Sequence, residues 1–246
     1  MKAVGLIGCG AIGTLIAEAI EKGTVKCEKL IIYDIDTPRA EKLKGSIHVT
    51  CAIVKSVEEM IKLKPTVIVE AASIQAAKEY VEKTVDANVD LIVMSVGALL
   101  DLDVKSPRIH FPSGAIGGLD ALSAADLAGV NEVILTTSKN PQVLDMDNRE
   151  EKIAYEGDAR EAVRRFPREM NVAATLALTV GAEKVKVRVI SDPKVNRNVH
   201  EVKVNWKHGD MLLKFSNDPH PENPKTSALA AWSAIKLLKD VLEGSS

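Results

Sequence analysis

Three glycines near the start of the chain have the spacing of a phosphate-binding turn. The segment Gly8–Gly13 reads GCGAIG, directly after an apolar run and directly before a segment with helical apolar spacing. In such a turn the first glycine allows the bend, the second lets backbone N–H groups approach a pyrophosphate, and the third lets the helix pack on the strand. The helix N-terminus then attracts phosphate. The predicted dinucleotide site comprises Gly8, Gly10, Ala11, Ile12 and Gly13.

An acidic residue stands where it would distinguish the two nicotinamide cofactors. Asp34 ends the next predicted strand, 21 residues after Gly13. A carboxylate there accepts hydrogen bonds from ribose hydroxyls, and its charge repels the 2′-phosphate of NADP. This favours NAD, while Arg39 lies close enough in sequence to leave NADP open as a second cofactor. Flavin binding is less favoured, because 246 residues leave little room for a second cofactor segment.

Histidines are the candidates for proton transfer, because imidazole titrates near neutral pH. The chain has His48, His110, His200, His208 and His220. We expect His48 in the third strand of the first domain and His208 in a hairpin turn, both most simply as surface or loop residues. His110 precedes a glycine-rich loop, where it would either lie near a nicotinamide or, as is favoured, pack within its strand. His200 shares strand parity with two valines, so periodicity alone favours a core histidine there. His220, on a proline-flanked loop, is the second candidate for a site residue.

The first hundred residues alternate short β-rich runs with amphipathic helical runs, which is typical of βαβ units and a parallel sheet. The predicted strands are 3–7, 29–33, 67–71 and 91–95, and the predicted helices include 12–20 and 76–85. Further helices are expected to start at Thr37-Pro38 and at Ser56, where Glu59 completes a capping box. The fold class is therefore α/β, with a Rossmann-type parallel sheet.

The pattern changes after about residue 106. Segments 184–190, 199–206 and 211–215 alternate apolar and polar residues, as half-buried antiparallel strands do. Asn223 as N-cap and Pro224 at the first position predict a last helix over 224–242. We predict a dinucleotide-binding domain at 1–106 and an inserted mixed α+β domain at 107–223 for substrate binding, catalysis and dimerisation. Residues 224–246 would form a helix packed back on the first domain.

Composition excludes several classes of protein. The chain is 46% hydrophobic and 27% charged, which argues against disorder, and its net charge of -2 provides no polybasic surface for nucleic acid. No apolar run approaches the roughly 20 residues that span a bilayer, and the N-terminus does not resemble a signal peptide. Cys9, Cys27 and Cys51 show no metal-binding or disulfide spacing. We expect a cytoplasmic protein with no metal, nucleic-acid or membrane partner.

Four later segments, taken with the glycine turn, resemble those of L-aspartate dehydrogenases, whose fold is shared with dihydrodipicolinate reductase and homoserine dehydrogenase. They are FPSGAIGGLD at 111–120, NVAAT at 171–175, the stretch from Asp192-Pro193 to RNVH at 197–200, and NPKTS at 223–227. The likeness covers essentially the whole chain in the same order. It implies NAD(P)-linked oxidation of L-aspartate to iminoaspartate, which hydrolyses to oxaloacetate and ammonia. It also implies a homodimer that supplies iminoaspartate for NAD biosynthesis.

The resemblance also implies roles for individual residues. Ala115 and Asn171 would contact the cofactor, and His200 would be the catalytic residue. Asn171 equally suits the N-cap of the helix that follows it. Because aspartate carries two carboxylates, its pocket should offer cations or helix N-termini, for which Lys139 and Arg197 are plausible. The candidate substrate-binding residues are Asn198, His220, Lys225, Thr226 and Ser227.

Two other functions stay open at this point. The first is a reductase of the dihydrodipicolinate type, a family typified by paired histidines with a nearby lysine. Here His200 is followed by Glu201, Val202 and Lys203, so the pattern differs. The second is a non-catalytic NAD-sensing module, which would need a DNA-binding or partner-binding element that the sequence does not reveal.

Overall fold

The computed structural model describes residues 2–102, 104–167, 169–220 and 223–244. The chain forms two compact units, the first comprising Met1–Pro112 with Ala231–Ser246 and the second comprising Ser113–Ala230. Each break lies a few residues beyond the corresponding boundary expected from the sequence.

The first unit is built on a sheet of six parallel strands flanked by helices. Its strands are β1 (Ala3–Ile7), β2 (Lys29–Tyr33), β3 (Cys51–Ile53), β4 (Val67–Glu70), β5 (Asp90–Val93) and β6 (Ile109–His110). Its helices in this part of the chain are α1 (Ala11–Glu21), α2 (Thr37–Gly45), α3 (Val57–Lys62) and α4 (Ile74–Asp86). The strand order is β3-β2-β1-β4-β5-β6, and every neighbouring pair is parallel. The predicted α/β class with a Rossmann-type sheet is confirmed.

The central strands explain why the sheet is easy to recognise in the sequence. Every residue of β1 and of β4 is buried, as expected for parallel strands covered on both faces. The order of strands reverses between these two neighbours, which opens a crevice at their carboxyl ends. The fold therefore places the ends of β1 and β4 where open α/β sheets bind ligands.

One predicted helix cap in the first unit is confirmed, while one histidine lies outside the strand expected for it. The Ser56 hydroxyl accepts a hydrogen bond from the Glu59 backbone N–H at 3.2 Å, which confirms the predicted cap of α3. The prediction of His48 in the third strand is wrong, because β3 begins at Cys51. His48 lies in the loop before β3 and is exposed, which confirms it as a surface residue, with its Nδ1 3.0 Å from a carboxylate oxygen of Glu21.

The second unit carries a mixed sheet with helices on one face. Its strands are β7 (Val130–Lys139), β8 (Lys152–Asp158), β9 (Val185–Ser191), β10 (Asn198–Trp206) and β11 (Gly209–Asn217), followed by the short β12 (Pro219–His220) and β13 (Asn223–Ser227). Its helices are α5 (Leu119–Ala128), α6 (Ala159–Arg165) and α7 (Asn171–Val180). The five longer strands have the order β11-β10-β7-β9-β8, with only β7 and β9 parallel. Alternating burial along β9 and β10 agrees with the predicted half-buried strands. The third predicted strand, β11, has no buried residue, and β9 is antiparallel to β8 but parallel to β7.

The last helix, α8 (Ala228–Glu243), begins later than predicted. The expected N-cap Asn223 and first residue Pro224 lie in β13, which pairs antiparallel with β12. Proline lacks the N–H that a central strand would need, but this two-stranded ribbon with a register shift tolerates it. Ile235 and Leu238 of α8 are buried in the hydrophobic core of the first unit.

Candidate functional site

The glycine turn between β1 and α1 has the geometry that phosphate binding requires. Gly8 has a φ of 95°, and a Cβ on it would lie 2.6 Å from the Ala71 carbonyl oxygen. A Cβ on Gly13 would lie 2.1 Å from the Gly8 carbonyl oxygen, so α1 can approach β1 only with glycine there. Around Gly10, by contrast, no heavy atom of the described residues lies within 4 Å of the Cβ position, apart from its own neighbours in the chain. Gly8 and Gly13 thus serve the fold, and Gly10 leaves space for a ligand.

The N-terminus of α1 is left uncapped by side chains in the described structure. Gly10 occupies the N-cap position, and no side chain accepts a hydrogen bond there. Ala11 and Ile12 begin the helix, and the first turn contains no acidic residue. These backbone N–H groups are therefore suited to an anion, and the residues present fit the pyrophosphate of a dinucleotide.

Asp34 is fixed against the glycine turn by two backbone hydrogen bonds. Its Oδ2 accepts from the Cys9 N–H at 2.7 Å, and its Oδ1 accepts from the Asp36 N–H at 2.8 Å. Arg39, which the sequence left open as a partner for a 2′-phosphate, instead places its Nε 3.0 Å from a carboxylate oxygen of Asp36. The negative charge of Asp34 at this position disfavours a 2′-phosphate, whereas the exposed pair of Arg39 with Asp36 is weak.

A cavity of about 190 Å³ adjoins the turn and Asp34. Its lining includes Gly8, Tyr33, Asp34, Ile35, Ala72, Ser73, Ala76 and Tyr80. The Tyr33 and Tyr80 rings meet edge to face with centroids 6.2 Å apart, which gives the cavity an aromatic wall. Two carboxylates, those of Asp34 and Glu79, line the same cavity. An aromatic base with its ribose matches this combination of an aromatic wall and hydrogen-bond acceptors. Sequence reasoning missed both tyrosines, since single aromatic residues in a strand and a helix carry no motif.

Ala115 and Asn171, the other predicted cofactor contacts, lie in the second unit. Ala115 is buried, and its carbonyl oxygen accepts a hydrogen bond from the Asn217 side chain at 2.8 Å. Its loop is bounded by Gly114 and Gly118, both in the left-handed region with φ of 69° and 78°. The N-cap alternative for Asn171 is wrong, because Met170 is the N-cap and Asn171 is the first residue of α7.

His200 is buried near the start of β10 in the second unit's sheet. It lies opposite Thr137 of β7, and its Nδ1 is 3.0 Å from the Thr137 hydroxyl oxygen. Burial, and to a lesser extent the positive charge of Lys139, lower the pKa of His200 from 6.5 to about 3. The imidazole is therefore neutral at physiological pH, with one ring nitrogen held by a hydroxyl.

Two other polar side chains are buried at the same end of this strand pair. Ser138 of β7 pairs with Val199 of β10, so the next residues along, Lys139 and Asn198, are neighbours across the pair. Both are almost fully buried. The Asn198 Nδ2 has no hydrogen-bond partner among the described residues. A buried amide without a partner is costly unless a ligand completes it, so this end of β10 suits a polar ligand.

The remaining candidates are spread over the chain. His220 in β12 and Ser227 in β13 are buried in the short two-stranded ribbon. The side chains of Lys225 and Thr226 lie outside the described residues. Arg197 is half-exposed, with its Nε 2.8 Å from an Asp218 carboxylate oxygen.

The two remaining histidines, His110 and His208, each contact a nearby side chain. The Nε2 of His110 is 3.2 Å from an Asp90 carboxylate oxygen on the neighbouring strand. His208 packs edge to face on Trp206 in the turn after β10.

In the described ranges, no group of three or more His, Cys, Asp or Glu residues is arranged to hold a metal ion. Within the same ranges, no helix has both the length and the apolarity needed to cross a membrane.

Comparisons with known proteins match two families in succession along the chain. Residues 8–109 match the family described as the NAD-binding domain of homoserine dehydrogenase. Residues 120–241 match the family described as the C-terminal domain of aspartate dehydrogenase. The L-aspartate dehydrogenase of Methanothermobacter thermautotrophicus is 41% identical over 98% of this chain and 96% of its own length. The chain belongs to the L-aspartate dehydrogenase family.

Further relatives of the aspartate dehydrogenase family support the same assignment. The L-aspartate dehydrogenase of Archaeoglobus fulgidus is 41% identical over 98% of both chains. The crystal structure of aspartate dehydrogenase from Thermotoga maritima superposes with a TM-score of 0.78 at 30% identity, covering 98% of this chain and 97% of that chain. The fold of this family member is thus also the fold of a solved aspartate dehydrogenase.

Alanine at two glycines of the turn should separate folding from cofactor binding. Gly10→Ala adds a methyl group where, apart from its chain neighbours, no described heavy atom lies within 4 Å, so its melting temperature should stay within about 2 °C of wild type. The same methyl group occupies the ligand's approach, so NADH binding, measured by fluorescence titration, should weaken about tenfold or more. Gly13→Ala should lower the melting temperature itself, because its Cβ meets the Gly8 carbonyl oxygen. Equal NADH affinity in Gly10→Ala and wild type would contradict this assignment.

The low pKa of His200 should appear in the pH dependence of stability. Between pH 6.5 and about 3 the unfolded chain binds a proton at His200 that the folded chain excludes. The free energy of unfolding contributed by this group is therefore complete above pH 6.5 and falls as the pH is lowered, by at most about 1.4 kcal/mol per pH unit. In urea unfolding, the free energy of unfolding of wild type should therefore fall more steeply between pH 6.5 and about 3 than that of His200→Gln. A stability difference between the two proteins that stays constant over this range would disprove the shift.

Proposed function

We propose that this protein oxidises L-aspartate to iminoaspartate with NAD as the hydride acceptor. The amino group loses a proton, the Cα–H leaves as hydride, and water then adds to the imine to give oxaloacetate and ammonia. The observation that carries the proposal is the buried group of His200, Lys139 and Asn198, in a domain matched by the aspartate dehydrogenase C-terminal family. The nicotinamide, when bound, supplies the acceptor for the hydride.

His200 suits the role of base for water addition. It is neutral at physiological pH, and its hydrogen bond with Thr137 engages Nδ1 and orients the ring. Nε2 is then the nitrogen that takes a proton from water as the oxygen attacks the imine carbon. Thr137 acts as a positioning residue in this scheme, comparable to the group that orients a catalytic histidine in hydrolases.

Lys139 and Asn198 suit the binding of a dicarboxylate. The Lys139 ammonium is buried and would attract a carboxylate strongly in this low-dielectric position. The Asn198 amide offers an N–H donor without a partner among described residues. A bound carboxylate would also offset the charge of Lys139 and so raise the pKa of His200 when substrate is present. Asn198, His220, Lys225, Thr226 and Ser227 remain the proposed substrate-binding residues, with Ala115 and Asn171 proposed for the cofactor.

The proposed product, iminoaspartate, needs a further enzyme that consumes it. Iminoaspartate reacts with water, so a second enzyme must take it before hydrolysis if it is to be used intact. Supply of iminoaspartate to NAD biosynthesis, which the family resemblance implies, is such a use. Without a consumer, oxaloacetate and ammonia would be the final products.

An absorbance assay tests the activity directly. Purified protein with NAD and L-aspartate should produce NADH, whereas L-asparagine, which lacks the second carboxylate, should give little signal. His200→Ala should lower kcat by about 10²-fold or more while leaving the dissociation constant of NADH unchanged. Lys139→Met should instead raise the KM for aspartate, and Lys139→Arg should restore part of the affinity.

Two results would overturn this proposal. Turnover by His200→Ala at the wild-type rate would exclude His200 as the base. Tight NADH binding without any aspartate oxidation by wild type would favour the NAD-sensing alternative instead.

We also propose that the protein is a homodimer that pairs through the sheet of its second unit. The face of this sheet away from the helices exposes Leu212 by 63% and Ile153 by 53%, with Ile134 beside the β10 strand. Glu132 and Lys203 lie close by, lining a cavity of about 300 Å³ on the same strands. A second copy would cover these apolar side chains and offer both signs of charge.

Light scattering tests the dimer with a matched pair of variants. The wild-type mass should be twice the chain mass of 26.5 kDa, and Leu212→Glu should shift it towards the monomer, because it buries a charge in the interface. Leu127→Glu changes a leucine that is 93% exposed on α5, and its mass should equal that of wild type. A monomeric wild type at micromolar concentration would rule out the dimer.

A further inference from the structure

A carboxylate lies fully buried at the end of an otherwise apolar strand in the first unit. Glu70 is the last residue of β4 and has no exposed surface, while the three residues before it are the buried valines and isoleucine of the sheet core. Burial raises the pKa of this carboxyl. A buried charge of this kind is costly and persists only where hydrogen bonds offset the lost hydration.

Four donors surround the Glu70 carboxylate, and all come from two loops. Oε1 accepts from the backbone N–H of Ala72 at 2.8 Å, from the N–H of Ser73 at 3.0 Å and from the Ser95 hydroxyl at 3.0 Å. Oε2 accepts from the Ser95 backbone N–H at 3.0 Å. Ala72 and Ser73 lead into α4, and Ser95 follows β5. One side chain thus ties the loop after β4 to the loop after β5.

The loop that Glu70 holds is a wall of the nucleotide site. The Ala71 carbonyl oxygen lies 2.6 Å from the position of a Cβ on Gly8, so this loop abuts the glycine turn. Ala72 and Ser73 line the cavity that also contains Asp34. A shift of these two residues by a fraction of an ångström would therefore change the shape of the cavity.

We infer that Glu70 is a positioning residue for the dinucleotide. It fixes the β4–α4 loop against the glycine turn through its hydrogen bonds to Ala72, Ser73 and Ser95, without contacting the cofactor itself. The inference rests on the assignment of the first unit as the NAD site and is independent of which substrate is oxidised.

Glu70→Gln tests the inference with little change of volume. Whichever way the amide is oriented, its NH₂ group faces a backbone N–H donor, so at least one of the hydrogen bonds is replaced by a repulsive contact. The dissociation constant of NADH, measured by fluorescence titration without aspartate, should rise roughly tenfold, in line with the loss of a charge-assisted hydrogen bond. Glu82→Gln, an exposed glutamate on α4, is the matched control and should bind NADH as wild type does.

Steady-state kinetics separate positioning from general destabilisation. Glu70→Gln should raise the KM for NAD and leave the KM for aspartate unchanged at saturating NAD. A folded Glu70→Gln protein that binds NADH within twofold of wild type would overturn the inference, even if its melting temperature falls. Absence of aspartate oxidation in wild type would contradict the proposed function but not the inference about Glu70, because the NADH titration does not depend on aspartate oxidation.

A milder variant keeps the test decisive if Glu70→Gln does not fold. Ser95→Ala removes only the hydroxyl donor and leaves the three backbone donors in place. It should weaken NADH binding by roughly threefold, as expected for one ordinary hydrogen bond. Ser46→Ala, at an exposed serine after α2, serves as its control. Equal NADH affinity of Ser95→Ala and wild type would then overturn the inference.

Discussion

The close approach of helix α1 to strand β1 is the constraint on which the nucleotide site depends. The two elements can lie this near only because Gly13 presents no Cβ to the Gly8 carbonyl oxygen. Their proximity brings the uncapped helix N-terminus over the carboxyl ends of the parallel strands. The Asp34 carboxylate then accepts a hydrogen bond from the Cys9 N–H of the glycine turn. The loop after β4 contacts the same turn at Ala71. Phosphate binding in this unit therefore follows from backbone packing more than from any side chain.

The second unit differs from the first in that polar side chains are buried on the inward face of its sheet. Its inward face is mostly valine and leucine, yet His200, Thr137 and Lys139 occupy inward positions near the ends of β7 and β10. Desolvation and the neighbouring ammonium together hold the imidazole neutral. An uncharged base beside a fixed cation is a chemically useful combination, because the cation attracts an anionic substrate, whose negative charge then raises the pKa of the imidazole and makes it a better proton acceptor.

The sequence predicted the parts of the fold that local patterns determine. Buried parallel strands read as apolar runs, and the GCGAIG turn with Asp34 has a recognisable spacing. The start of the last helix was predicted wrongly at Pro224, because Asn-Pro is a common helix start and the pairing of β13 with β12 depends on a neighbouring strand. The partnership of Thr137 with His200 and of Glu70 with Ser95 likewise depends on register between distant segments. Local sequence patterns do not indicate which residues of two distant segments will lie opposite each other.

The anchoring of Asp34 couples two properties that are often treated as separate. Its oxygens receive the backbone N–H groups of Cys9 and Asp36, so the carboxylate that would discriminate against a phosphorylated ribose also braces the glycine turn. Replacing it with an apolar residue to admit NADP would remove both the repulsion and the acceptor that holds the Cys9 amide. An exchange of coenzyme preference in this scaffold therefore calls for a neutral residue that still accepts a hydrogen bond from that amide, as the side-chain oxygen of asparagine does.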